Sequence, residues 1–278
     1  MRLQTPFNRR LAILASAAML LVLPSFSAAT GDMITGSAPA ASAVGAAPDG
    51  EMHAAAVAVK KKIHAAGGLL AVVSHDDIIP SQQVIADNTL RSLPPQCRDN
   101  LRSFYVNYDP NPKNRGLGGA DTIIIAGKVP DNEFRALLIH ECGHVTDLGG
   151  FRGTPSGGGT EFFDGNEPIY NNDPSVAFYR VSWDDSTSRK QTATKADFVS
   201  GYAMSDPFED FAESFAYYIL QKKDFARIAK KNKALAAKYA WFEQNLSSVM
   251  PATVAMGKNV RGTKEPWDVT KLPYTWLN

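Results

Sequence analysis

Histidine and cysteine are both scarce in this chain, with five and two among 278 residues. Two cysteines, Cys97 and Cys142, allow at most one internal disulfide. The fold therefore rests on an apolar core, and a 44% hydrophobic content is ample for one. Neither sign of charge dominates, since 29 Lys and Arg face 28 Asp and Glu. That balance points to no nucleic acid and no anionic membrane as partner. Lys60, Lys61 and Lys62 read as a solvated helix face rather than a binding patch. There is no internal repeat, no EF-hand spacing and no apolar run long enough for a comfortable membrane span.

The apolar run that does occur is short and N-terminal. Arg2, Arg9 and Arg10 precede it, Leu11 to Leu23 form it, and Pro24, Ser25, Ser27, Ala28 and Ala29 follow. This three-part layout predicts a secretory signal peptide over residues 1–29, cleaved near Ser27–Ala29. The expected location is secreted or periplasmic, with no stable membrane insertion once the signal is removed. An uncleaved N-terminal anchor is the competing reading. Without its three arginines the chain is near neutral to slightly acidic. Residues 30–50, made of Ala, Gly, Ser, Pro and Thr with few large apolar side chains, read as a flexible linker.

One domain is expected over 51–278. The pattern predicts a helix at 51–66 ended by Gly67-Gly68, a strand at 69–73, a helix at 81–92 stopped before Pro94-Pro95, and a strand at 102–108. Thr122 to Ala126 is a β-branched apolar run that predicts a buried or edge strand. Residues 131–147 predict a helix capped by Asp131 and stopped by Gly149-Gly150. The following stretch to about 200 reads as loops. Its oxygen-rich segments, Asp164-Gly165-Asn166-Glu167, Asn171-Asn172-Asp173 and Trp183-Asp184-Asp185, fit either calcium coordination or ordinary turn chemistry. Helices are expected again at 207–221 and within 224–249.

His140-Glu141-Cys142-Gly143-His144 carries the chemistry. Side chains four apart on a helix share a face, so His140 and His144 can hold one Zn2+ between them. Glu141 is turned roughly a third of the circumference away and can serve as general base on a water. The other histidines, His53, His64 and His75, have no ligand spacing. Cys142 lies inside this motif, and its pairing with Cys97 stands open against a buried, reduced side chain.

The third ligand is not where a metzincin would place it, because the residue six past His144 is Gly150. Asp147 shares the histidine face and can accept a hydrogen bond from a ligand imidazole, or ligate directly. Glu209 and Glu213 share a face of the later helix, the layout of a gluzincin. Two local roles compete. Asp206 and Pro207 fit a cap and first position, which would make Glu209 the far half of a capping box, and Glu213 could be an ordinary solvated glutamate.

The segments His140 to Asp147 and Gly201 to Phe215, the latter reading Gly-Tyr-Ala-Met-Ser-Asp-Pro-Phe-Glu-Asp-Phe-Ala-Glu-Ser-Phe, resemble the catalytic region of the anthrax lethal-factor-like metallopeptidases. The bacterial Pro-Pro endopeptidases are related to these. The resemblance spans about residues 131–222. It implies Glu209 as third zinc ligand, Glu213 and Asp147 as carboxylates behind the ligand histidines, and Tyr202 as donor to the oxyanion. The fold it implies is α+β and zincin-like: a small mixed sheet packed on the His-Glu-x-x-His helix, then a mostly helical C-terminal part. The departures are Cys142, where such proteins often carry a bulky apolar residue, and the long insertion between the ligands.

The expected function is a secreted zinc endopeptidase acting on an extended peptide or protein substrate. Thr122–Ala126 is the candidate strand for pairing with that substrate. The alternative is a catalytically silent, zinc-stabilised secreted protein that binds a partner or host. Glu141 discriminates, since a silent relative can dispense with the base.

Overall fold

The computed structural model describes residues 78–246, 254–256 and 266–276. The expected signal peptide, linker, first helix and first strand, with His53, His64 and His75, lie outside the described residues. Helix α1 (Pro80–Ser92) opens on a proline, whose missing N–H has no helical partner to lose. It ends at Leu93, held extended ahead of Pro94, and a short helix α2 (Pro95–Arg98) follows.

Three strands form the main sheet: β1 (Ser103–Asn107), β2 (Gly116–Gly118) and β3 (Thr122–Ala126), in spatial order β1-β3-β2. β1 runs parallel to β3 and β2 antiparallel to it. Thr122–Ala126 is thus the central strand, paired on both sides, and it has no edge to offer a substrate. Its continuous β-branched run suits that central place, with Ile123, Ile125 and Ala126 buried and Thr122 and Ile124 partly so. The edge beside it belongs to β2. Phe104, Ile123 and Ile125 of this sheet are buried in the core.

Helix α3 (Asp131–His144) packs on that sheet and buries every residue from Ala136 to its end. Its cap is Pro130, not Asp131, because the Phe134 amide already closes on the Pro130 carbonyl. Asp131 and Glu133 instead sit in the first turn, where the helix dipole favours acids. The helix runs on as one π-helical turn, Val145–Gly150, and stops at the two glycines. Cys97 and Cys142 are bridged, with Cα atoms 5.3 Å apart, tying α2 to α3.

The stretch expected as loops contains a hairpin, β4 (Gly159–Asp164) and β5 (Glu167–Tyr170), with Gly165 at φ 58° in its turn, and a helix α4 (Ser175–Ser182). Elements this short carry too few periods to show above the polar background. Residues 164–167 form the turn of this hairpin, and the oxygen-rich segments at 171–173 and 183–185 are engaged by the chain itself. Asp173 accepts the amides of Ser175 and Gly153, Asn172 that of Thr154, and Asp185 those of Thr187 and Ser188. That is turn chemistry.

Helix α5 (Pro207–Ala229) is capped by Asp206, which accepts the amides of Phe208 and Glu209 at 3.0 and 2.8 Å. Its backbone leaves helical geometry at Gln221, where the sequence pattern ended the helix. Helix α6 (Lys233–Asn245) is capped by Asn232. Between α4, α5 and α6 lies an aromatic core of Phe178, Phe211, Trp241 and Phe242. A short pair, β6 (Val254–Met256) with β7 (Tyr274–Trp276), completes the described strands. The architecture is α+β, with small sheets and six helices among the described residues.

Candidate metal centre

The first two donors come from one helix. His140 and His144 stand one turn apart on α3, both buried, their rings 5.2 Å apart. The third arrives from α5, and small residues allow it to do so. Gly143 faces Ala212 so closely that a Cβ added at Gly143 would lie 2.7 Å from the Ala212 Cα. This contact brings the first turn of α5, with Glu209, against the imidazoles.

Glu209 Oε2 lies 3.2 Å from His140 Nε2 and 3.6 Å from His144 Nε2. Its other oxygen accepts a 2.9 Å hydrogen bond from the Tyr202 hydroxyl. Asp206 caps the helix without a reciprocal bond from Glu209, so the capping box is not formed. Oε2 is buried and no aligned hydrogen-bond donor meets it. His140 Nδ1 sits 3.0 Å from Glu213 Oε1, which makes that nitrogen the natural donor and leaves Nε2 with a lone pair. Nε2 and Oε2, 3.2 Å apart in a buried site, call for a positive charge between them, either a proton on the imidazole or a metal ion. A tetrahedral Zn2+ about 2.0–2.1 Å from each ligand holds its ligand atoms about 3.3 Å apart. The observed 3.2 and 3.6 Å separations fit it.

The electrostatics agree. Burial acts to raise the Glu209 carboxyl, but the neighbouring His144 and His140 more than offset it, and the group is held far below the usual carboxylate range. Burial acts to lower His140, yet Glu209 and Glu213 together lift it well above an ordinary histidine. These carboxylates favour positive charge at the imidazoles, the charge that a metal ion carries.

Glu141 completes the close group His140-Glu141-His144. Burial lifts its carboxyl above the ordinary value, against the opposing pull of the two histidines. Strand β2 lies directly over it: a Cβ on Gly116 would come 1.9 Å from Glu141 Oε1, and one on Gly118 would come 2.8 Å from the His144 Cβ. A Cβ at Gly118 would meet the Glu141 main chain as well, whereas one at Gly116 would meet only the Glu141 side chain. Sequence reasoning passed over these positions. The Gly-Leu-Gly alternation was the visible signal.

Glu213 is fully buried on α5, with Oε1 at His140 and Oε2 accepting the Val269 amide at 2.9 Å. Tyr202 opens a 3-10 turn (Tyr202–Met204) before α5 and is half-buried. Burial first, then the Glu209 charge, pushes its phenol far above the ordinary value, so it stays a donor. Asp147 is buried, and its Oδ1 accepts a 2.6 Å hydrogen bond from the Tyr179 hydroxyl rather than from an imidazole. The reason is the π-helical turn. It begins at Val145 and abandons the α-helical register that would have stacked Asp147 over His144.

Residues 172–265 match a protein-family model described as "Putative zinc-binding metallo-peptidase". The match covers about a third of the chain. It includes Tyr202, Glu209 and Glu213, and it begins after the His140–His144 motif. No curated protein and no solved structure matches the chain.

Proposed function

We propose that this protein is a secreted zinc endopeptidase of gluzincin type. Its Zn2+ is held by His140, His144 and Glu209, in a zincin-like domain within residues 51–278. The observation that carries the reading is Glu209 Oε2, buried and facing both Nε2 atoms at ligand–ligand distance. The family match adds the class of reaction. Kinship to the lethal-factor-like peptidases rests on the two motifs. Export rests on the signal-like residues 1–29, followed by a linker at 30–50.

Zinc, when bound, supplies the Lewis acidity for amide hydrolysis. The chain's own groups do the rest. Glu141 takes the proton of the attacking water and passes it to the leaving amine. Tyr202, whose hydroxyl rests on Glu209, turns its donation to the oxygen that becomes negative. Glu213 holds the His140 ring from behind. An extended substrate pairs with the outer edge of β2, whose glycines place it against Glu141.

The test is cleavage of a degenerate peptide library read by mass spectrometry, wild type against Glu141→Gln at matched zinc loading. Cuts that vanish in the variant support the reading. A zinc-loaded wild type that cuts nothing turns the case to the silent binding protein.

A further inference from the structure

The C-terminal segment 266–274 reaches the metal centre at several points. The Pro266 carbonyl accepts the Gly201 amide at 2.9 Å, and the Trp267 carbonyl accepts the Tyr202 amide at 2.7 Å. Asp268 pairs with Arg115, the residue that leads into β2, and Arg115 also meets Glu133 of α3 at 2.7 Å. The Val269 amide donates to Glu213 Oε2 at 2.9 Å, and Glu213 Oε1 meets His140 Nδ1. The Tyr274 hydroxyl fastens the strap by donating to the Val269 carbonyl at 2.6 Å.

We propose that Val269 is a positioning residue for the metal centre, acting through its main-chain N–H on Glu213 and so on His140. The inference rests on the zinc-site reading above. Glu213 is a buried carboxylate with one oxygen on the imidazole and the other on this amide. Its orientation is fixed from both ends, and the ring it holds is fixed with it. Without the amide, Oε2 faces the core with its charge unmet and the carboxylate is free to turn away from Nδ1. Groups that orient a ligand histidine from behind typically contribute about 10–100-fold in metal affinity. The local sequence gave no hint, because the donor is a backbone group 56 residues away from Glu213.

The backbone here tolerates a variant that tests this. Val269 is the first residue of a 3-10 turn, a position that suits proline. Asp268 before it has φ −147° and ψ 125°, the region a pre-proline residue adopts. Val269→Pro therefore suits the turn's own backbone but replaces the N–H by a ring carbon, which removes the donor and displaces Glu213 Oε2 from it, while Val269→Ala keeps the N–H and removes packing. Zinc affinity of the full chain is measured by competition with a chromogenic chelator, beside thermal unfolding of both apoproteins. The expected result is a loss of about tenfold or more in Val269→Pro, with Val269→Ala binding severalfold more tightly than Val269→Pro at comparable stability. Equal affinity in the two variants, or wild-type affinity in Val269→Pro, overturns the proposal. A wild type that binds no zinc overturns the functional reading itself, so the two failures are distinguishable.

Discussion

Lys238 and Asp210 form a fully buried ion pair one residue away from the proposed ligand Glu209. Lys238 Nζ donates to Asp210 Oδ1 at 2.9 Å, Asp210 Oδ2 at 2.7 Å and the Asp197 carbonyl at 2.9 Å, which uses all three of its protons. The Trp183 indole N–H donates to Asp210 Oδ2 at 3.0 Å. Burial pushes Asp210 up and Lys238 down, each toward its neutral form, and their mutual attraction is the largest effect opposing this, helped by Trp183 and Ser214 at Asp210 and by Asp197 at Lys238. In Lys238→Met the aspartate keeps Trp183 and Ser214 as partners but loses its only countercharge. Removing one partner of a buried pair typically costs about 3–5 kcal/mol. A domain has only about 5–15 kcal/mol in total. The cost is softened if Asp210 takes up a proton. Its folded pKa then lies above its unfolded one, so the stabilising effect of protonation is present at low pH and lost as pH rises. Urea unfolding at pH 7 and pH 5 is the assay. The reasoning predicts a loss of about 3–5 kcal/mol at pH 7, smaller at pH 5, and partly recovered in Lys238→Met with Asp210→Asn. A loss below about 1 kcal/mol at pH 7 would falsify it.

Three further outcomes are expected. Gly116→Ala pushes on the mobile end of Glu141, so kcat should fall about 100-fold with zinc content kept, whereas Gly118→Ala meets backbone and should cost stability instead; peptide hydrolysis and thermal unfolding separate the two. Reduction of Cys97–Cys142, which spans 45 residues, should lower stability by roughly 2–4 kcal/mol in denaturant titrations under dithiothreitol, and no change would show the bridge to be dispensable. Burial raises Asp173 to about 6, so its contribution to stability is full below about 4 and lost as pH rises toward 6. Asp173→Asn should flatten the stability-versus-pH curve in that window, and an unchanged slope would contradict the assignment.

What could be seen in the sequence was local. The spacing of His140 and His144 is a property of one helix, and the Asp206-Pro207 start of α5 is a property of four residues. Glu209 and Glu213 share a helix face for the same reason, but local pattern could not decide between cap and ligand. That choice depended on how α5 meets α3, which Gly143 and Ala212 set across a long chain separation. Thr122–Ala126 was legible as a strand, while its place at the centre depended on a three-residue partner, β2, too short to register. Asp147 was expected beneath an imidazole, and the π-helical turn moved it to Tyr179. Arg115 and Val269 reach the centre only through long-range contacts. Nothing in their own neighbourhoods announces them.

The central claim is that two histidines of α3 and one glutamate of α5 hold a single zinc ion. Calorimetric titration of the metal-free protein with zinc, wild type beside Glu209→Ala, tests it most directly. The account predicts one tightly bound zinc per wild-type chain and an affinity at least about 100-fold weaker in the variant, with the fold retained by circular dichroism. Equal affinity in the two proteins would contradict it, because Glu209 Oε2 would then not be a ligand.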